Sequence, residues 1–155
     1  MLLAVMADSH DNLPLVRRAV ARARAAGATA IVHLGDIVAP FAARIVAESG
    51  VPVYAVFGNN DGERRVLAKE LPGIVDPPRT LELDGRRLVL FHAPPETAPP
   101  CDAVLFGHTH KPSAQVRDGV LRLNPGEAGG WLFGEPSMAL LETKTLACEF
   151  VRLDE

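Results

Sequence analysis

Short apolar runs alternate with amphipathic segments along the first half of the chain. Three runs have the length of buried strands and lead into glycine or polar residues: 2–6, 30–34 and 53–57. Three segments after them are predicted as helices from apolar spacing and flanking glycines: 13–26, 41–48 and 64–70. Because strands and helices alternate, the pattern predicts a parallel sheet with helices packed against it.

The second half of the chain is predicted to be rich in β-structure. Asp84-Gly85 and Asp118-Gly119 each lie between two short strand-like segments, a pattern typical of β-hairpins. Three further segments are predicted as strands: 102–106, 137–142 and 146–153. No linker separates the two halves, so we expect one domain over residues 1–155.

Composition narrows the class of protein without identifying an activity. The chain has 155 residues, of which 48% are hydrophobic and 23% charged, as in ordinary globular domains. A net charge of −3 gives no reason to expect tight binding to nucleic acid or to an anionic membrane. A small phosphorylated substrate remains compatible with that charge. Two isolated cysteines and the lack of a signal-peptide or membrane-spanning pattern favour a cytoplasmic location.

Potential metal donors cluster at the ends of the predicted strands, where open parallel sheets bind their ligands. The seven predicted ligands are Asp8, His10, Asp36, Asn59, His92, His108 and His110. They offer oxygen and imidazole nitrogen but no thiolate, which favours a catalytic Zn, Mn, Fe, Co or Ni site. Seven donors exceed the needs of one tetrahedral ion, whereas two ions that share a carboxylate would use them all.

The same residues carry a resemblance to a known family. The motifs, in chain order, are Asp8-x-His10, Gly35-Asp36, Gly58-Asn59-Asn60-Asp61, His92 and Gly107-His108-Thr109-His110. They resemble those of the calcineurin-like metallophosphoesterases, and in particular the small prokaryotic phosphodiesterases. The resemblance implies an α/β fold, namely a four-layer α-β-β-α sandwich of two mixed β-sheets flanked by helices.

The resemblance also divides the ligands between two divalent metal ions. Asp8, His10 and His110 would hold one ion. Asn59, His92 and His108 would hold the other, and Asp36 would bridge the two. Manganese is favoured among Mn, Ni, Fe, Co and Zn. A hydroxide bridging the two ions would attack phosphorus in line, so we expect a phosphodiesterase that acts on a small phosphoester substrate.

Asn60 and Asp61 are the predicted catalytic residues beside the metal ions. Many family members have a histidine at the position of Asn60, which helps to bind phosphate and to protonate the leaving group. An amide can hydrogen-bond a phosphoryl oxygen but cannot act as a general acid, so we expect slow turnover or good leaving groups. Asp61 is expected to orient Asn60. A plain turn with a helix N-cap is an equal alternative.

Three other features receive weaker assignments. His33 is expected to pack inside its strand rather than to support the ligands. Glu127 follows an Asn-Pro-Gly turn where family members often have serine, and it is assigned no role. The apolar triplet 131–133 in a glycine-rich loop is expected to cover the core, with a dimer contact or a lid as alternatives.

Two other functions stay open on the sequence alone. A phosphomonoesterase for a nucleotide or a phosphoprotein would use the same ligands. A non-catalytic scaffold of the same fold, as in a retromer subunit, is the other alternative. The sequence does not determine the natural substrate, the metal used in the cell or whether the chain forms a homo-oligomer.

Overall fold

The structure of the protein is a computed structural model that describes residues 1–155. It contains three helices: α1 (Leu13–Ala25), α2 (Pro40–Ala47) and α3 (Arg64–Glu70). The first five strands are β1 (Leu2–Met6), β2 (Ala30–His33), β3 (Val53–Val56), β4 (Ile74–Val75) and β5 (Arg79–Leu83). The later strands are β6 (Arg86–Leu90), β7 (Ala103–Leu105), β8 (Ser113–Arg117), β9 (Val120–Asn124), β10 (Ser137–Glu142) and β11 (Cys148–Arg152).

These strands form two sheets. The first has six strands in the order β11-β10-β1-β2-β3-β4, and the second has five in the order β5-β6-β7-β9-β8. In the first sheet β1 to β4 are parallel, and β10 and β11 continue the sheet in antiparallel fashion. In the second sheet β6, β7 and β9 are parallel, and each edge strand closes a hairpin. Each sheet therefore presents the carboxyl ends of several parallel strands at one edge.

The helices pack on the outer face of the first sheet. Helix α1 buries one stripe at helical spacing: Val16, Ala19, Val20 and Ala23. A proline in its first turn suits the helix start, and Gly27, with a φ of 75°, follows its end. The helices and the first sheet together enclose a core of 20 buried residues.

The inner faces of the two sheets pack against each other. Alternate residues of the central strands enter this second core of 16 buried residues, as Leu3 and Val5 do from β1 and Leu88 and Leu90 from β6. Each such fully buried aliphatic side chain contributes about 1.5–3 kcal/mol relative to an exposed one. The two Asp-Gly turns adopt positive φ at both residues, as type I′ hairpins require.

The predicted α/β class, with two mixed sheets and flanking helices, is confirmed. All three helices flank the first sheet, because the chain contains no helix after Glu70. On the outer face of the second sheet the proline-rich loop lies beside Val104, and Arg122 donates to the Pro95 carbonyl at 2.9 Å. Strand β4 was not predicted, since two residues carry no periodic signal. None of the helices has the length and apolar character needed to cross a bilayer.

Candidate metal centre

The carboxyl ends of the parallel strands bring the predicted ligands together. Asp8, Asp36 and Asn59 follow β1, β2 and β3 of the first sheet, whereas His92 and His108 follow β6 and β7 of the second. The two sheet edges meet directly, because the His108 backbone N–H donates to Asp8 Oδ2 at 2.8 Å. The centre therefore lies where both sheets end, as the strand pattern predicted for the first of them.

The backbone at the centre is strained. Five of the seven predicted ligands have φ in the left-handed region: Asp8 (51°), His10 (39°), Asp36 (57°), His108 (67°) and His110 (61°). Residues other than glycine rarely adopt this region, and each instance costs on the order of 1–3 kcal/mol. Strain of this kind collects at functional sites, where the surrounding fold holds side chains in a required geometry.

Asp8, His10 and His110 form one group of donors. Their ligand atoms all lie within 4.8 Å of one another. The Nε2 atom of His110 is 3.7 Å from Asp8 Oδ1, and the rings of His10 and His110 stack with centroids 5.3 Å apart. This group is the set predicted for the first metal ion.

A second group gathers around Asn59. Its Oδ1 lies 2.7 Å from His92 Nε2 and 2.9 Å from His108 Nδ1, and those two nitrogens are 3.3 Å apart. Asp36 lies between the groups, with Oδ1 3.5 Å from His92 Nε2 and Oδ2 3.4 Å from His10 Nε2. Each Asp36 oxygen thus faces a different group, as expected of a bridging carboxylate.

The protonation of His92 shows that the second group suits a cation. The Nδ1–H of His92 donates to the Leu34 carbonyl at 2.8 Å, so Nε2 keeps its lone pair in the neutral ring. Burial lowers the pKa of His92, which favours that neutral form. Nε2 then faces Asn59 Oδ1, which is also an acceptor. A bound cation would satisfy both lone pairs.

Two buried polar atoms without hydrogen-bond partners indicate that the first group also suits a cation. Asp8 Oδ1 and His10 Nε2 are buried and have no hydrogen-bond partner, which costs each of them about 1–3 kcal/mol. Burial raises the pKa of Asp8 to about 7, against the lowering effects of His110 and of the His108 N–H. A divalent cation would satisfy both atoms and stabilise the ionised carboxylate, so the residues of both groups fit a metal site.

Asn60 and Asp61 have different surroundings. Asn60 donates to Asp36 twice, from its backbone N–H to Oδ1 and from Nδ2 to Oδ2, both at 2.8 Å. The buried Asp61 carboxylate accepts the N–H groups of Asp36, Val38 and Gly58 at 3.0, 2.7 and 2.7 Å. It makes no hydrogen bond to the Asn60 side chain, and no side chain caps α3. Asp61 therefore joins two ligand-bearing loops instead of orienting Asn60 or capping the helix.

Glu127 and His33 support the ligand-bearing loops, although the sequence assigned neither of them this role. Glu127 Oε2 lies 2.9 Å from His110 Nδ1. His33 accepts the Gly35 N–H on Nδ1 at 3.3 Å and donates from Nε2 to Ser9 Oγ at 3.1 Å. Burial lowers the pKa of His33 to about 3 and so keeps the ring neutral. Glu127 lies shortly after the end of β9, and a position after a strand is the same signal that identified the other residues of the centre. That signal could have indicated Glu127 as well.

Two cavities adjoin the centre, one beside each group of ligands. A cavity of 380 Å³ is lined by His10, Asn60, His110, Trp131 and Leu132. A cavity of 450 Å³ lies on the other group and includes Asn59, His92, His108, Phe57 and Arg64. A further cavity of 540 Å³ lies beside the β8–β9 hairpin and contains no predicted ligand.

The apolar triplet beside the first cavity is exposed. Trp131, Leu132 and Phe133 are 63%, 66% and 50% exposed. The expectation that this triplet covers the core is therefore wrong. The chain on either side of the triplet is buried instead, at Ala128 and Met138.

The chain matches a family of known function along most of its length. Residues 1–146 match the calcineurin-like phosphoesterase superfamily domain. Phosphodiesterase MJ0936 of Methanocaldococcus jannaschii is 31% identical, over 93% of this chain and 94% of that protein. A solved archaeal phosphodiesterase superposes with a TM-score of 0.92 at 30% identity, over 99% of this chain and 100% of the other.

A more distant solved structure shares the fold. Vps29 of Entamoeba histolytica, solved in complex with zinc, has a TM-score of 0.70 at 21% identity, over 99% of each chain. The sequence resemblance is confirmed by the family match, and the described geometry is compatible with the metal dependence of that family. The protein belongs to the calcineurin-like phosphoesterase superfamily and is a metal-dependent phosphoesterase.

Proposed function

We propose that the protein is a phosphodiesterase that works with two divalent cations. One cation would be held by Asp8, His10 and His110, the other by Asn59, His92 and His108, with Asp36 shared between them. The observation that carries the proposal is the convergence of acceptor atoms in both groups, two of which are buried without a hydrogen-bond partner, an arrangement that cations would satisfy. When bound, such cations acidify water and neutralise charge on phosphoryl oxygens.

The arrangement of the cavities favours a diester over a monoester. A phosphodiester has two organic substituents, and the two cavities lie beside different ligand groups. A phosphorus atom over the centre can therefore send one substituent toward Trp131 and the other toward Phe57. A monoester would fill one cavity only. The phosphodiesterase name of the relative from Methanocaldococcus jannaschii supports the same choice.

The chain itself would supply position and hydrogen bonds rather than a proton. Asn60 holds both oxygens of Asp36 and lines the cavity of Trp131. Its amide carries no proton that it can transfer at neutral pH. Departure of the alkoxide then depends on its own stability, so we propose that rates fall steeply as the leaving group becomes more basic.

Oxygen and imidazole ligands without thiolate suit manganese, which we propose as the working metal. The substrate is proposed to be a small phosphoester, handled in the cytoplasm without tight binding to nucleic acid. The net charge of −3 supports the last point, since binding to nucleic acid relies on a positive surface.

A comparison of activity with metal content tests the proposal. Wild-type protein, loaded with Mn²⁺ alone, should hydrolyse an aryl phosphodiester faster than the matching monoester and should hold about two ions per chain. Asp36→Ala should lose both the activity and the metal. Glu149→Ala, an exposed change on β11, is the matched control and should retain both.

Three results would contradict the proposal in different ways. A faster rate on the monoester would favour the phosphomonoesterase alternative. Metal content near zero in the wild type would favour a scaffold. Diester hydrolysis by Asp36→Ala at the wild-type rate would show that the activity arises elsewhere or from a contaminant.

A further inference from the structure

Glu127 is a buried carboxylate with an unusual set of partners. Its side chain is fully inaccessible to solvent, and both oxygens accept hydrogen bonds. Oε2 lies 2.9 Å from His110 Nδ1, and Oε1 accepts the Phe133 N–H at 2.7 Å. The Leu132 N–H reaches both oxygens, at 3.0 and 3.1 Å. One carboxylate thus joins a predicted metal ligand to the exposed apolar loop.

The hydrogen bond to His110 determines which ring nitrogen faces the centre. A carboxylate can only accept, so Nδ1 of His110 must carry the proton in this pair. Nε2 then presents its lone pair toward Asp8 Oδ1, 3.7 Å away. Carboxylate partners of this kind orient histidine ligands and increase their basicity, and their removal typically weakens metal binding about 10–100-fold.

The loop of residues 129–134 also contacts the Asp8–His10 segment of the centre. The indole Nε1–H of Trp131 donates to the His10 carbonyl at 3.1 Å. Gly129 lies so close to the Asp8–His10 segment that a β-carbon there would be 2.7 Å from the Ser9 carbonyl oxygen. The loop therefore contacts His10 through the Trp131 indole and reaches His110 only through Glu127, while Trp131 and Leu132 line the first cavity.

We propose that Glu127 is a positioning residue that couples metal binding at His110 to the conformation of the 129–134 loop, and thereby to the apolar wall of the substrate cavity. A cation on Nε2 makes the Nδ1–H of His110 a stronger donor and draws the carboxylate toward the ring. Since the same carboxylate accepts hydrogen bonds from the loop, the position of the loop changes with that of the carboxylate. Coupling between sites is reciprocal, so a loop held in place also favours metal binding. This inference rests on the proposed metal centre.

The substitution Glu127→Gln keeps the size of the side chain but removes its ability to accept hydrogen bonds from His110 and from the loop at the same time. Its amide keeps one acceptor oxygen but turns an –NH₂ group toward either His110 or the loop N–H groups. If its oxygen accepts from the loop, its –NH₂ group can only donate to His110 Nδ1, which places the ring proton on Nε2, the nitrogen that would bind the metal. Glu135→Gln is the matched control, because Glu135 is an exposed residue just after the loop that forms a salt bridge with Arg152 at 3.5 Å.

Trp131 is the only tryptophan of the chain and serves as a built-in reporter of the loop. Zinc alone is the probe, since Zn²⁺ is diamagnetic and does not itself quench the indole. In wild-type and Glu135→Gln protein, zinc should reduce quenching of Trp131 by acrylamide. In Glu127→Gln, zinc affinity in a chelator competition should fall about 10–100-fold, and saturating zinc should leave the quenching unchanged.

Two results would overturn the proposal. One is a zinc affinity of Glu127→Gln within about threefold of the control. The other is a zinc-induced decrease in acrylamide quenching of Trp131 that is as large in Glu127→Gln as in the wild type. A merely structural role for Glu127 would lower the melting temperature without abolishing the response of Trp131 to saturating zinc.

A measurement on the wild type keeps the proposal testable if Glu127→Gln does not fold. Nitrogen-15 NMR of the zinc-free protein at about pH 8, where imidazoles are neutral, reports the tautomer of His110. The Nδ1–H form supports the proposal, and the Nε2–H form overturns it. Failure of the diesterase assay with an intact zinc response would reject the proposed function alone.

Discussion

Gly58→Ala is expected to disable the centre by displacing the shared carboxylate. A β-carbon on Gly58 would lie 2.1 Å from Asp36 Oδ1 and 2.3 Å from the Asp36 backbone nitrogen. That nitrogen is held by Asp61 Oδ2 at 3.0 Å, so the backbone cannot easily retreat. The φ of Gly58 is not in the left-handed region, so alanine meets no backbone penalty there. The perturbation is therefore one of space alone.

The size of the effect follows from the displacement. Ordinary van der Waals contact begins at 3.4 Å, so the Asp36 side chain must move by roughly 1 Å. Metal sites tolerate deviations of about 0.2 Å in ligand distance. A misplacement of about 1 Å costs on the order of 10²-fold in rate, which corresponds to about 2.7 kcal/mol. Overpacking should also lower the free energy of unfolding by about 1–3 kcal/mol.

Gly62→Ala provides the control within the same loop. A β-carbon at Gly62 meets no atom within 4 Å, and its φ is not in the left-handed region. Both variants are assayed for hydrolysis of an aryl diester at saturating Mn²⁺, for metal content and for thermal unfolding. Diester hydrolysis by Gly58→Ala within about threefold of Gly62→Ala, with full metal content, would refute the steric reasoning.

Three further outcomes are expected. Burial keeps the pKa of His33 at about 3 in the folded chain, below its ordinary value of 6.5. The free energy of unfolding should therefore be highest above pH 6.5 and should fall as the pH drops from 6.5 toward 3. Urea titrations should show this loss, by up to about 1.4 kcal/mol per pH unit, and His33→Asn should flatten it. Burial raises the pKa of Asp8 to about 7, so manganese affinity measured by calorimetry should fall as the pH drops below that value; an affinity independent of pH between about 5 and 7 would contradict this. Asp61→Asn turns an amide donor toward backbone N–H groups and should lower the free energy of unfolding by about 1–3 kcal/mol, whereas the exposed turn variant Asp118→Asn should leave it nearly unchanged.

The seven residues of the candidate metal centre, the α/β class and most strands could be picked out from the sequence because their signals are local. A buried strand needs only a short apolar run, and each Asp-Gly turn needs only two adjacent residues. A strand end identifies its polar residue without any knowledge of neighbouring strands. Asp8, Asp36 and Asn59 could thus be assigned to one edge before their distances were known.

Other features depend on contacts between distant segments. Glu127 supports a histidine 17 positions earlier, and no pattern around it indicates that this histidine is its partner. Asp61 similarly accepts the backbone N–H of a residue 25 positions away. Whether the triplet at Trp131 lies inside or outside depends on how completely other side chains fill the core. These features were decided by tertiary packing, because hydrogen bonds and excluded volume act between residues that only the folded chain brings together.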